Sequence, residues 1–291
     1  MKILYFTLLL LLWPFASAKA QTDEAARPVT SSLSLLLGQG QVRNTYLTPL
    51  LYSGADLTLQ GQRWRLQRNL QWVNWQQAEA NFTMANDRGE HSQDWSGRLR
   101  YRYGVLHRWQ GLAGLPFSYY AGPYAGADLG FDYNLKMASS NNPATARIAA
   151  NLGLAGALSY RFRQPRAQGL KVTLQGHAPL LGMAFMPEYG ASYYETFYLN
   201  TTDGNAHLTS LHNQQDLDLQ LVADVPLAIV PWFRKYDSVL RVGASYHIET
   251  MDVNHTTTRY SRFGLVLGWV YEYLPYSRRK AQLLNRPAYE Y

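Results

Sequence analysis

The 291-residue sequence predicts an all-β fold, a transmembrane antiparallel up-and-down β-barrel of about ten strands. Three observations carry that expectation. Segments in which apolar and polar residues alternate recur roughly every 15–30 residues, at the period of two that a strand imposes. They run for about 14–20 residues, well beyond the ~5–6 of an ordinary globular strand. Aromatic residues gather near segment ends (Trp72 and Trp75, Trp95 and Trp109, Tyr119 and Tyr120, Tyr271 and Tyr273), like the girdles at a membrane interface.

Composition agrees with this. Charged residues make up only 16% of the chain and hydrophobic ones 47%, yet the mean hydropathy is −0.29. That is the average left when apolar residues alternate with uncharged polar ones. The aromatic content of 14% excludes disorder, and outside the N-terminus no apolar run approaches the ~20 residues of a membrane-spanning helix. The absence of cysteine removes disulfides, thiolate metal sites, a cysteine nucleophile and an N-terminal lipid anchor. Of the formal charge of +7, Lys2 and Lys19 fall in the leader, so the mature excess is smaller. No Lys/Arg-rich block suggests a nucleic-acid groove, and no nucleic-acid partner is expected.

Taken in order, residues 1–20 read as a cleavable signal peptide. Lys2 supplies the basic start, Leu4 to Trp13 the apolar run, Pro14 the break, and Ala16-Ser-Ala18-Lys-Ala20 the small-x-small cleavage sites. Residues 21–28 form a polar lead-in. The barrel is expected over 29–275, with strands at 29–38, 53–66, 69–84, 92–109, 116–137, 144–163, 168–186, 214–227, 237–253 and 257–274. A basic periplasmic tail, 276–291, follows. In 95–105, Trp95, Leu99, Tyr101 and Tyr103 share one face, and Ser96, Arg98, Arg100 and Arg102 the other. Residues 39–52 are apolar for an exposed loop; they fit either a plug entering the lumen or a continuation of the first strand. Segment 189–200, with a partner in 203–213, would raise the count to twelve. A secreted soluble β-sandwich is the alternative architecture, but long strands and a polar face rich in Gly, Asp and Arg favour the barrel.

The stretch Asn44-Thr-Tyr-Leu-Thr-Pro-Leu-Leu-Tyr-Ser-Gly54, the leader ending before Gln21, and the glycine- and aromatic-rich strands resemble a family of Bacteroidota outer-membrane barrels known only as a conserved domain of unknown function. The resemblance covers nearly all of the mature chain. It implies residence in the outer membrane of a Gram-negative envelope, and it implies no activity and no functional residues. Outer-membrane lipid, and the barrel-assembly machinery during biogenesis, are the expected partners.

Alternation assigns Asp56, Arg98, Arg100, Arg102, Asp128, Asp132, Arg147, Arg161, Arg163, Lys171, Asp216, Asp218, Arg241, Glu249 and Glu272 to the lumen. Two readings follow: charge pairing that fills a narrow barrel, or a charged ring that selects a solute in a pore. A weak catalytic set is Ser245, His247 and Glu249, two residues apart on one face. Their Cα spacing of roughly 6.5–7 Å is loose for a nucleophile–base relay. His207, Ser210 and His212 form another loose set, and adding Asp203 does not make a metal site. No phosphate-binding loop or dinucleotide fingerprint is present, so no cofactor and no metal is expected. The function expected is a structural, binding or narrow-channel component of the envelope. The alternative is an outer-membrane lipid-modifying enzyme, a hydrolase or acyltransferase, using Ser245/His247/Glu249 or the 187–213 loop.

Overall fold

Period-two alternation means that each strand separates its residues onto two faces, and a closed ring of such strands turns one face inward and the other out. The computed structural model describes residues 29–67, 70–111, 116–135, 143–162, 164, 169–188, 198–199, 204–227 and 238–273, with 272 and 273 described by backbone alone. Its strands are β1 (Val29–Asn44), β2 (Thr48–Leu66), β3 (Trp72–Asn86), β4 (Gln93–Gln110), β5 (Phe117–Asn134), β6 (Ala144–Arg161), β7 (Lys171–Phe185), β8 (Ala206–Ser210), β9 (Gln214–Pro226), β10 (Val239–Val253) and β11 (Thr256–Tyr273). Neighbours in sequence pair antiparallel, and β1 pairs β11 from Val29↔Tyr273 to Asn44↔Thr258, which closes the ring. A closed ring has no second sheet, so the sandwich alternative falls.

β8 and β9 both lie against β7, through Phe185↔Ala206 at one end and Lys171↔Asp224 at the other. They are one stave broken by the turn at 211–213, and the ring therefore has ten staves. The twelve-strand alternative fails because the partner of 206–210 is β7; residues 189–197 lie outside the described residues.

Residues 39–52 are wall rather than plug. They extend β1 to Asn44 and start β2 at Thr48 around a tight turn. Their apolar character has two causes: Leu50 and Leu51 are exposed at the rim, while Val42, Tyr46, Leu47 and Tyr52 are buried. The β10–β11 connection is shorter still. Asn254 and His255 carry φ of 53° and 59°, two successive left-handed residues as in a type I′ hairpin turn.

Polarity is inverted relative to a water-soluble core. On β11, Phe263, Leu265, Leu267, Trp269 and Tyr271 face outward, with Leu265 65% exposed, while Tyr260 and Arg262, toward the far end of the same strand, are 1% exposed on the inside. Leu33, Leu35 and Leu37 continue the apolar belt on β1, and Ile148, Leu152 and Leu154 on β6. Among the described strand residues, outward-facing charge is confined to the two rims: Arg43, Asp252 and Arg259 at the end away from the termini, and Arg63 and Arg65 at the end that holds them.

The interior is layered. Near the terminal end, Trp75, Leu106, Tyr124 and Ala155 cluster with Trp64 and Tyr120. Near the far end, Ala149, Ala184, Met186, Met251 and Val253 do the same. Between these two apolar layers lies a band of charge.

Candidate functional site: the charged lumen

The band begins with the sequence Arg98-Leu-Arg100-Tyr-Arg102 on β4. Alternation sends all three guanidinium groups into the lumen and Leu99 and Tyr101 outward. Facing strands supply the carboxylates. Glu249 of β10 pairs with Arg98, with Arg147 at 3.0 Å and with Arg100 at 3.5 Å. Arg100 also lies 3.7 Å from Glu79 and 3.6 Å from Asp128, and Arg102 lies 3.7 and 3.9 Å from the same two groups. The Arg98 guanidinium stacks 4.0 Å above the Tyr260 ring. Burying any one of these charges alone would cost several kcal/mol, about the penalty that only close pairing and hydrogen bonding offset. The pore reading needed an unpaired arginine row, and this row is paired.

Neutral polar groups complete the network. Glu79 accepts hydrogen bonds from Gln60 and Gln77, each at 2.7 Å. Asp56 accepts from Thr83 at 2.6 Å and from Asn81 and Tyr260 at 2.8 Å. Asn44 donates to Asp132 at 2.8 Å, which ties the β1–β2 turn to β5. Arg262, within the band, meets Asp218 at 3.5 Å, and toward the terminal end Arg241 forks onto Asp224 at 2.7 and 3.0 Å and reaches Ser32 and Gln62. Two spaces among the described side chains lie against this network, one against Asn44, Arg98 and Arg147, the other against Trp75, His177 and Asp218. Each is about 10 Å³, room for about one water molecule.

Of the residues assigned to the lumen from sequence, the structure brings Arg98, Arg100, Arg102, Asp128, Arg147, Asp216 and Glu249 into one cluster. Asp56, Asp132, Asp218 and Arg241 have the partners given above. Arg161 and Lys171 are half-buried and opposite each other at the terminal end of β6 and β7. Glu272 lies opposite Thr30 in the backbone register. Arg163 falls outside the described residues.

Ser245, His247 and Glu249 share the lumen face of β10 and make no hydrogen bond to one another. Ser245 Oγ has no hydrogen-bond partner. His247 Nε2 lies 2.8 Å from Asp216, and its Nδ1 lies 3.2 Å from Arg100. Alternate side chains of one strand project in parallel, so His247 and Glu249 find their partners on other staves rather than on each other. Ser210 Oγ does approach His212 Nδ1 at 2.5 Å in the exposed β8–β9 turn. Asn213, however, accepts from the Ser210 amide and donates to the Leu208 carbonyl, which holds the turn, and among the described residues no carboxylate bonds the His212 imidazole to orient it. Among the described residues no group of His, Asp and Glu could hold a metal ion; Asp203 lies outside them.

Sequence reasoning missed Glu79, Asp224, Tyr260 and Arg262. The signal was present: odd-numbered Trp75, Gln77, Glu79, Asn81 and Thr83 form a polar row on β3 opposite Phe82 and Met84. A lone carboxylate among neutral amides draws less attention than three arginines.

With a closed barrel and its filled lumen described, the chain can be set beside known proteins. Residues 4–280 match the model of the family described as "Protein of unknown function (DUF3316)". The chain belongs to that family. Membership agrees with the expectation of a family of unknown function, and it assigns no role to any residue of the network. No curated protein matches the chain. Among solved structures, the outer membrane protease OmpT of Escherichia coli aligns over 87% of this chain and 100% of its own, at 8% identity and a TM-score of 0.48. The translocator domain of the autotransporter NalP from Neisseria meningitidis aligns over 90% and 95%, at 7% identity and a TM-score of 0.34. Ail, the attachment invasion locus protein of Yersinia pestis, aligns over 83% and 98%, at 11% identity and a TM-score of 0.27.

Proposed function

We propose that this DUF3316 chain is an integral outer-membrane barrel whose lumen is closed by its own side chains, and that it serves the envelope as a structural or binding component rather than as an open pore. One observation carries the reading: the outward face is a continuous apolar belt while the inward face holds the charges. A belt of exposed Leu, Phe, Trp and Tyr on every stave far exceeds the patches a soluble monomer tolerates, and lipid is the environment that covers it. The staves, 15 to 19 residues long apart from the broken one, exceed the ~9–11 residues needed to cross a bilayer at a tilt. The signal peptide expected at 1–20 supplies the route of export, with the assembly machinery and outer-membrane lipid as partners. The paired arginines and the small residual spaces support closure. A closed lumen leaves the rims as the surfaces free to bind.

Two properties test this reading together. Unheated protein in detergent extracts is expected to migrate faster on a gel than the boiled form, and the purified protein to float with liposomes. A monodisperse, detergent-free protein with no heat-dependent band would overturn the proposal.

A further inference from the structure

The ring closes between β1 and β11, and their register sets Arg43 directly opposite Arg259. Both side chains face outward and are exposed. Like charges directly opposed across two strands repel one another, and among the described residues neither guanidinium has an ion-pair or side-chain hydrogen-bond partner. The carboxylate on the same outer face, Asp252, accepts a hydrogen bond from Thr257 at 3.3 Å and forms no ion pair with either arginine. No other outward-facing cation is found on the described strands until Arg63 and Arg65 at the opposite rim.

Their height on the wall is equally specific. Below the pair, Gln41 faces Ser261 and Gln39 faces Phe263; then the apolar belt begins with Leu37 facing Leu265 and Leu35 facing Leu267. Four residues separate Arg259 from Phe263, which is about 13 Å along the strand and about 10 Å of height at a tilt of ~40°. The two cations therefore stand at headgroup depth, directly above a surface suited to acyl chains. Beside Arg43, the β1–β2 register slips between Val42 and Asn44, and exposed Leu50 and Leu51 flank the site.

We propose that Arg43 and Arg259 together bind the phosphate of an outer-leaflet lipid headgroup. The proposal deepens the membrane reading and rests on it. A phosphate monoester carries about −1.5 to −2 charge and three strong acceptor oxygens. Two guanidinium forks on adjacent strands can take it bidentately, and the bound anion removes the repulsion between them. An uncharged headgroup, such as the hydroxyl of diacylglycerol, offers the pair no anion.

The test uses the folded barrel in nonionic detergent, titrated with phosphatidic acid, with diacylglycerol and with inorganic phosphate, and read by native mass spectrometry. The wild type is expected to retain phosphatidic acid and not diacylglycerol, and to hold it less well as salt is raised. Arg43→Gln with Arg259→Gln is expected to weaken retention about tenfold or more, and the double Lys variant to recover part of it. Equal retention by the double Gln variant, or wild-type retention indifferent to salt, would overturn the proposal. So would complete displacement of the lipid by inorganic phosphate, which would assign the pair to a soluble anion. Heat-dependent mobility of each variant checks that it has folded. Liposome flotation is scored separately, so a failure of the membrane reading is distinguishable from a failure of this site.

Discussion

Glu249 holds Arg98, Arg147 and Arg100 at once, from a position where its side chain is 6% exposed. Replacing it with alanine leaves three guanidinium groups facing one another without their shared anion. Glu249→Ala is expected to destabilise the barrel by about 3–5 kcal/mol, the usual cost of removing one partner of a buried pair, read as a lowered urea midpoint of the heat-dependent band. Ser245, four residues away on the same face, has no partner to lose, and Ser245→Ala is expected to change stability by less than about 0.5 kcal/mol. Equal effects of the two would mean that the network is not what holds this region. Alternation in the sequence put both residues, and the three arginines, on the lumen face. It could not say which carboxylate meets which arginine. Arg98 and Glu249 are 151 positions apart, and only the ring brings β4 within reach of β10.

At the scale of an element, strand positions were readable because lipid-type and lumen-type residues alternate so regularly on β4, β6 and β11. The strand ends were less so. The β1–β2 hairpin illustrates why: 39–52 contains Pro49 and several apolar residues, and its wall-forming role depends on which side each one faces. The β10–β11 turn shows a local rule only half obeyed. A two-residue turn with both φ positive favours Asn-Gly, and here His255 stands in the glycine position. His255→Gly is expected to raise stability by about 1 kcal/mol, the approximate strain of a left-handed non-glycine residue, again read in the urea midpoint. Asn254 is a different case, because its side chain donates to the Met186 carbonyl at 2.9 Å and to Asn205 at 3.2 Å. Those two bonds tie the turn over the lumen mouth beside the Met186, Met251 and Val253 layer. A destabilised His255→Gly variant would show that the imidazole has a role the turn geometry does not supply.

Across the whole molecule, one arrangement explains the unusual composition. Leucines and aromatic residues are exposed because they face outward from a ring, and charges are buried because the ring is too narrow to leave them solvated. Sequence alone reached the ring and left open whether its interior was pore or plug, since that depends on side-chain pairing between distant staves. In the structure, two apolar layers enclose a paired charge band, and the spaces described within it admit about one water each. The most direct test of closure is conductance across a planar bilayer after insertion of the purified protein has been established by flotation. The account predicts a silent bilayer, with no steady openings at either polarity. Large, stable single-channel steps from the wild-type protein would contradict it.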